Sequence, residues 1–295
     1  MFKKILIFLG ILVLVGVGYI YWKLFAGRPG EIPIPQGAAS HYFTSEDGLK
    51  IHYLTMGEGV PILLIHGFFA NADLNWFQNG IAQELAKTNR VIAIDNRGHG
   101  RSDKPYRHDA YEDFMWRDAI QLLDILKIEK AHIHGYSMGG SILTQILFHK
   151  PERVITAVYG GAGVPEFDEE MRKQIPEDGN PPEAVIAEEK LAKKEVKYGF
   201  AHDYIAMYYV GKNAPWGGPE HEKIDLTSVK VPVLAINGEF DSPNARTARM
   251  QRQLGSFQNV VLPGKAHLTA ITGAFMPNTY IVELAKFIRN FDNNP

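Results

Sequence analysis

The chain contains no cysteine. That absence removes disulfides, thiolate metal sites, a cysteine nucleophile and lipid attachment through a thiol in one stroke. It does not fix a compartment, because a protein without disulfides is stable on either side of a membrane. Charge of one sign is also scarce: 31 basic against 33 acidic residues leave a net charge of −2, which offers no electrostatic footprint for nucleic acid. No internal repeat and no low-complexity run is present, which excludes solenoids and tracts of biased composition. What is present is ordinary for a folded chain. Hydrophobic residues make up 45% of 295, enough to bury one large core or two small ones.

The single long apolar run lies at the N-terminus, from Ile5 to Trp22, between Lys3-Lys4 and Lys23. As a helix it would reach about 27 Å, close to the hydrocarbon thickness of a bilayer. Tyr19, Tyr21 and Trp22 suit the interface at its far end. The expectation is therefore a membrane anchor over residues 1–25. A thin positive-inside bias would put the rest on the outer side. The competing reading is a signal peptide cleaved near Gly16-Val17-Gly18, with secretion of the remainder. Residues 26–40, AGRPGEIPIPQGAAS, carry three prolines and three glycines and read as a linker.

From residue 41 to 295 the pattern is that of one α/β domain. Short apolar runs such as PILLIHG (61–67), RVIAIDN (90–96), AHIHGYS (131–137), RVITAVYG (153–160) and VPVLAINGEFD (231–241) suit strands buried on both faces. Amphipathic helical stretches separate them, and strand alternating with helix predicts a mostly parallel sheet flanked by helices. The interval from about 164 to 226 breaks the rhythm with charged, irregular sequence. Its aromatic clusters, FAHDYIAMYY and Trp216, argue for an inserted helical cap over disorder.

Gly135-Tyr136-Ser137-Met138-Gly139 fits G-x-S-x-G between a predicted strand and a predicted helix, the context that motif requires. A serine on that sharp turn projects its hydroxyl above the sheet edge, next to a helix N-terminus. A hydroxyl needs a general base. Among 11 histidines, His267 stands out by position, after the last predicted strand and before the final helix. Asp241, after the penultimate strand, is placed to orient it. Glu239 is the first runner-up, then Glu166 or Asp168. The backbone amides of Phe68, in HGFF (66–69), and of Met138 supply the two donors an oxyanion needs. His66 reads as a residue that shapes its loop.

HGFF, DNRGHGRSDKP (95–105), GYSMGG, NGEFD and GKAH, in this order, resemble the α/β-hydrolase superfamily over residues 41–292. The resemblance implies the α/β-hydrolase fold and Ser137, Asp241 and His267 as a triad, matching the positional reading. Within the superfamily the chain is similar to capped serine hydrolases: carboxylesterases, carbon–carbon bond hydrolases and cofactor-free perhydrolases. Haloalkane dehalogenases and epoxide hydrolases use an aspartate where this chain has Ser137, which argues against both activities.

The expectation is a serine hydrolase of small apolar esters that needs no cofactor and no metal, takes a small-molecule substrate, and partners no nucleic acid. A hydrolase-like small-molecule receptor is the alternative from another class. Phe69, Tyr136, Trp216 and Leu268 are candidate pocket residues, with core packing as the plainer reading of each. Gly98 to Asp103 begins like a dinucleotide loop but lacks the third glycine, so it reads as a structural turn. His132 and His134, two apart on one strand, read as buried neighbours of the sheet in preference to a metal pair. EEKLAKKEVK (188–197) reads as a solvated helix face.

Overall fold

The computed structural model describes residues 33–111, 113–199, 202–213 and 224–292. Eight strands form one sheet: β1 (Ala39–Thr44), β2 (Lys50–Met56), β3 (Val60–Ile65), β4 (Asn89–Ile94), β5 (Ala131–Tyr136), β6 (Val154–Gly160), β7 (Val233–Gly238) and β8 (Phe257–Leu262), in spatial order β1-β2-β4-β3-β5-β6-β7-β8. β1 and β2 pair antiparallel, as do β2 and β4, and every other pairing is parallel. This is the α/β-hydrolase fold that the sequence motifs imply. β1 begins at Ala39, so the strand takes in the last two residues of the stretch read as linker. That strand escapes a pattern reading because its burial is mixed and it lies at the sheet's edge.

The helices are α1 (Ile81–Leu85), α2 (Phe114–Ile125), α3 (Met138–His149), α4 (Glu169–Arg172), α5 (Glu183–Gly199), α6 (Tyr204–Asn213), α7 (Pro243–Gln253) and α8 (Asn278–Asp292). The central strands are apolar throughout because helices cover both faces. One face of the sheet packs Leu63, Ile65, Ile133, Ala157 and Ala235 with Met115, Ala119, Leu122 and Leu123 of α2 and Ile142, Leu143 and Ile146 of α3. The other packs Ile62, Leu64, Val158, Leu234 and Ile236 with Leu284, Ala285, Phe287 and Ile288 of α8. Alternate residues along each strand feed opposite cores, as a pleated strand dictates.

β3 continues to β4 on one side, while β5 continues to β6 on the other. Loops at the C-terminal ends of β3 and β5 therefore diverge and leave a crevice, the usual ligand position in such sheets. The helices α4, α5 and α6 lie between β6 and β7 in sequence, within the predicted cap interval.

The expectation of a membrane-anchored protein is corrected. Among the described residues no helix is long and apolar enough to cross a membrane. The stretch that carried the anchor expectation, 1–25, lies outside the described residues, as does the suggested cleavage point at 16–18.

Candidate active site

Ser137 joins β5 directly to α3 and sits at φ 51°, ψ −113°, a backbone conformation that side chains rarely adopt. Its amide donates to Gly160 O at 2.8 Å, which ties the turn to the neighbouring strand. The surrounding glycines are explained by space. A Cβ at Gly135 would lie 2.1 Å from Gly139 O, and one at Gly139 would lie 2.0 Å from Ile65 O. Helix α3 begins at Met138, so Met138 N has no partner one turn back within the helix.

His267 follows β8 and brings its imidazole between two partners. Its Nε2 is 3.0 Å from Ser137 Oγ, and its Nδ1 is 2.8 Å from Asp241 Oδ2. With the carboxylate on Nδ1, that nitrogen carries the proton and Nε2 is left to accept the serine's. Asp241 is buried, and its second oxygen accepts from Arg246 at 2.9 Å. Burial alone would push the Asp241 carboxyl up. The hydrogen bond and charge of His267, with the charge of Arg246, outweigh burial and leave it below its ordinary value. The three residues singled out by motif and position are thus one hydrogen-bonded chain.

The runner-up acids go elsewhere. Glu239 is exposed and accepts from Gly264 N at 2.8 Å. Glu166 is buried against Arg252 and accepts from the amides of Phe167 and Asp168, both at 3.1 Å. Asp168 caps α4 through Met171 N at 2.9 Å.

The HGFF loop closes on Ser137 from β3. A Cβ at Gly67 would sit 3.2 Å from Ser137 Cβ. His66 is wholly buried, and burial lowers its pKa despite the nearby Asp95 charge. Its Nδ1 donates to Gly67 O at 2.7 Å, while its Nε2 accepts from Asn96 N at 3.0 Å. Holding the Gly67 carbonyl orients the Gly67–Phe68 peptide, because C=O and N–H point in opposite directions across a trans peptide. His66 therefore shapes the loop, as its position in HGFF suggests. Asn75 Oδ1 accepts from Gly67 N at 2.9 Å and completes the support. Asn75 lies in a π-helical turn, Asp73–Phe77, that the sequence pattern reads as ordinary helix.

Of the four pocket candidates, Phe69 and Leu268 are half-buried beside cap residues, and both pack against Ala70, Leu74 and Val196. Phe69 takes positive φ, 55°, and its ring contacts those of Phe68 and His202 at 4.4 and 5.4 Å. Tyr136 is placed differently: it is buried, and its phenol donates to the His267 carbonyl. Burial raises that phenol well above its ordinary range, so it remains a donor. Trp216 lies outside the described residues.

His132 meets Thr156 and His134 meets Tyr280. Among the described residues no group of three or more metal-ligating side chains converges. The EEKLAKKEVK stretch departs from its reading as a solvated face. Glu189 Oε1 and Oε2 accept from Leu268 N at 2.9 and 3.0 Å, and Ala192 and Val196 are buried. Helical spacing reveals the Ala192–Val196 stripe, but nothing local marks Glu189.

The alpha/beta hydrolase fold family model matches residues 60–274. A 2-hydroxymuconate semialdehyde hydrolase of Pseudomonas sp. (strain CF600) is 40% identical over 122 residues. That stretch is 40% of this chain and 42% of that relative, so the chain spans about two fifths of its length. Two solved structures share the fold. A thermophilic esterase from Thermogutta terrifontis has a TM-score of 0.68 at 20% identity, over 86% of this chain and 99% of its own. A meta-cleavage product hydrolase from Pseudomonas fluorescens IP01 has a TM-score of 0.65 at 22% identity, over 85% and 97%.

Proposed function

Because the chain belongs to the alpha/beta hydrolase fold family, we propose that it is a serine hydrolase cleaving carboxylic esters of small apolar substrates. The observation that carries this reading is the chain Asp241–His267–Ser137, with both hydrogen bonds at 3.0 Å or less, on a serine held in a strained turn. His267 Nε2 takes the Ser137 proton as Oγ bonds to the ester carbonyl carbon. The carbonyl oxygen gains the negative charge and lies between the amides of Phe68 and Met138. Collapse breaks the carbon–oxygen bond to the alcohol, which receives the proton from His267, and leaves an acyl-serine. Water, deprotonated by the same nitrogen, then releases the acid and restores Ser137. Asp241 stays ionised throughout and stabilises the imidazolium, a role suited to its lowered pKa.

A second reading keeps the same residues but cleaves a carbon–carbon bond in a vinylogous diketone. Its support is the likeness to the 2-hydroxymuconate semialdehyde hydrolase and the meta-cleavage product hydrolase. The test is turnover by the full chain of a nitrophenyl ester series of rising acyl length, beside a vinylogous diketone. Ser137→Ala runs in parallel. Ester turnover that falls by roughly 10⁴-fold or more in the variant supports the proposal. Turnover of the diketone alone favours the second reading. Equal turnover by the variant on every substrate sinks both.

A further inference from the structure

We propose that Glu189, on cap helix α5, is a positioning residue that aligns His267 by clamping the peptide bond after it. The inference rests on the reading of His267 as the base. The His267–Leu268 peptide is held at both ends. Tyr136, the residue before the nucleophile, donates its phenol to the carbonyl oxygen. Glu189 accepts the amide of that same peptide, with Leu268 N at 2.9 Å from Oε1 and 3.0 Å from Oε2, and it also accepts Thr269 N at 3.1 Å. Carbonyl and amide of one trans peptide point opposite ways, so partners on its two sides fix the plane. Fixing that plane fixes the backbone from which the imidazole projects towards Ser137.

A carboxylate receiving two backbone amides is a charge-assisted contact, stronger than a neutral one. Helix α5 brings it into place by packing. Val196, two turns along, sits against Ala70, Leu74 and Leu268, and Lys265 pairs with Glu188 at 3.1 Å. Tyr136 belongs to the sheet and Glu189 to the cap. One jaw of the clamp therefore comes from the sheet and the other from the cap.

The experiment measures the rate at which a fluorophosphonate labels Ser137 in the full chain, which reports nucleophile activation without knowledge of the substrate. Glu189→Ala is expected to label about 10-fold more slowly, with Glu189→Gln between it and the wild type, since glutamine keeps one acceptor oxygen. Lys190→Ala, exposed on the same helix, is expected to label at the wild-type rate. The downfield proton resonance of His267 Nδ1 is expected to broaden or shift in Glu189→Ala. Melting temperature guards against general loss of structure. Labelling of Glu189→Ala at the wild-type rate overturns the inference, and so does glutamine no better than alanine. A slow rate with an unchanged His267 resonance also overturns it. If the alanine variant does not fold, glutamine labelling at the full wild-type rate overturns it. A wild type that is not labelled at all sinks the base assignment itself.

Discussion

Gly135, at the C-terminal edge of β5, and Gly179, between cap helices α4 and α5, meet opposite surroundings. A Cβ on Gly135 would lie 2.1 Å from a backbone oxygen, whereas one on Gly179 would meet nothing within 4 Å. The same contrast runs through both regions. At the sheet edge the backbone of Ser137, the HGFF loop and the His267 loop are each held by buried hydrogen bonds or close backbone contact. In the cap, α4 has no buried residue and is capped by the exposed Asp168, and α5 touches the edge through a few side chains. Tight packing is concentrated at the sheet edge, and open space in the cap.

Three tests break or sharpen that contrast, the largest effect first. Asp241→Asn should lower kcat by roughly 10⁴-fold, about 5.5 kcal/mol, because the amide no longer stabilises the imidazolium or fixes its tautomer. Glu166→Gln, at the start of the cap interval, should leave kcat within about 2-fold, since Glu166 serves Arg252 and two amides. Steady-state kinetics of the pair decides between the acids, and equal losses would sink the assignment to Asp241.

Gly135→Ala should cost more than about 4 kcal/mol, because its contact is with backbone that has nowhere to move. Gly179→Ala should change stability by less than about 0.5 kcal/mol. Denaturant titration of both variants measures the difference. A tolerated alanine at Gly135 would mean that β5 and α3 pack less tightly than described.

The third concerns acid. His134 is buried, and burial lowers its pKa from 6.5 to about 4, while a hydrogen bond to Val158 O opposes the shift. Its neutral Nε2 accepts from Tyr280 at 2.9 Å. The unfolded chain therefore binds this proton at higher pH than the folded one. Stability is whole above about pH 6.5 and falls as pH drops towards 4, by about 3 kcal/mol from this group. His134→Gln should flatten that part of the pH–stability curve, and an unchanged slope would assign the acid sensitivity elsewhere.

The sheet edge was legible in the sequence because each of its parts is local. G-x-S-x-G marks its own turn, HGFF its own loop, and NGEFD and GKAH stand at the ends of apolar runs whose parallel pairing brings them to one edge. The cap was legible only as an interruption. Charged helices between core strands announce an insertion but not which face descends, so Glu189 read as solvent-facing while it reaches the His267 loop. The direction of the Tyr136 phenol was hidden in the same way. Its place beside Ser137 is local, but strand alternation and the curl of the His267 loop decide where its phenol points.

Residue order by itself determined the strand–helix alternation, the glycine-framed serine turn and the serine, histidine and carboxylate that the proposed chemistry would use. These depend on backbone sterics and on functional groups that no context replaces. Only the tertiary structure decided that Asp241 and not Glu166 meets His267, and that α5 rests on the His267 loop. The Asp241–His267 and Glu189–Leu268 contacts join residues 26 and 79 positions apart, and their geometry exists only once the sheet has set its strands side by side.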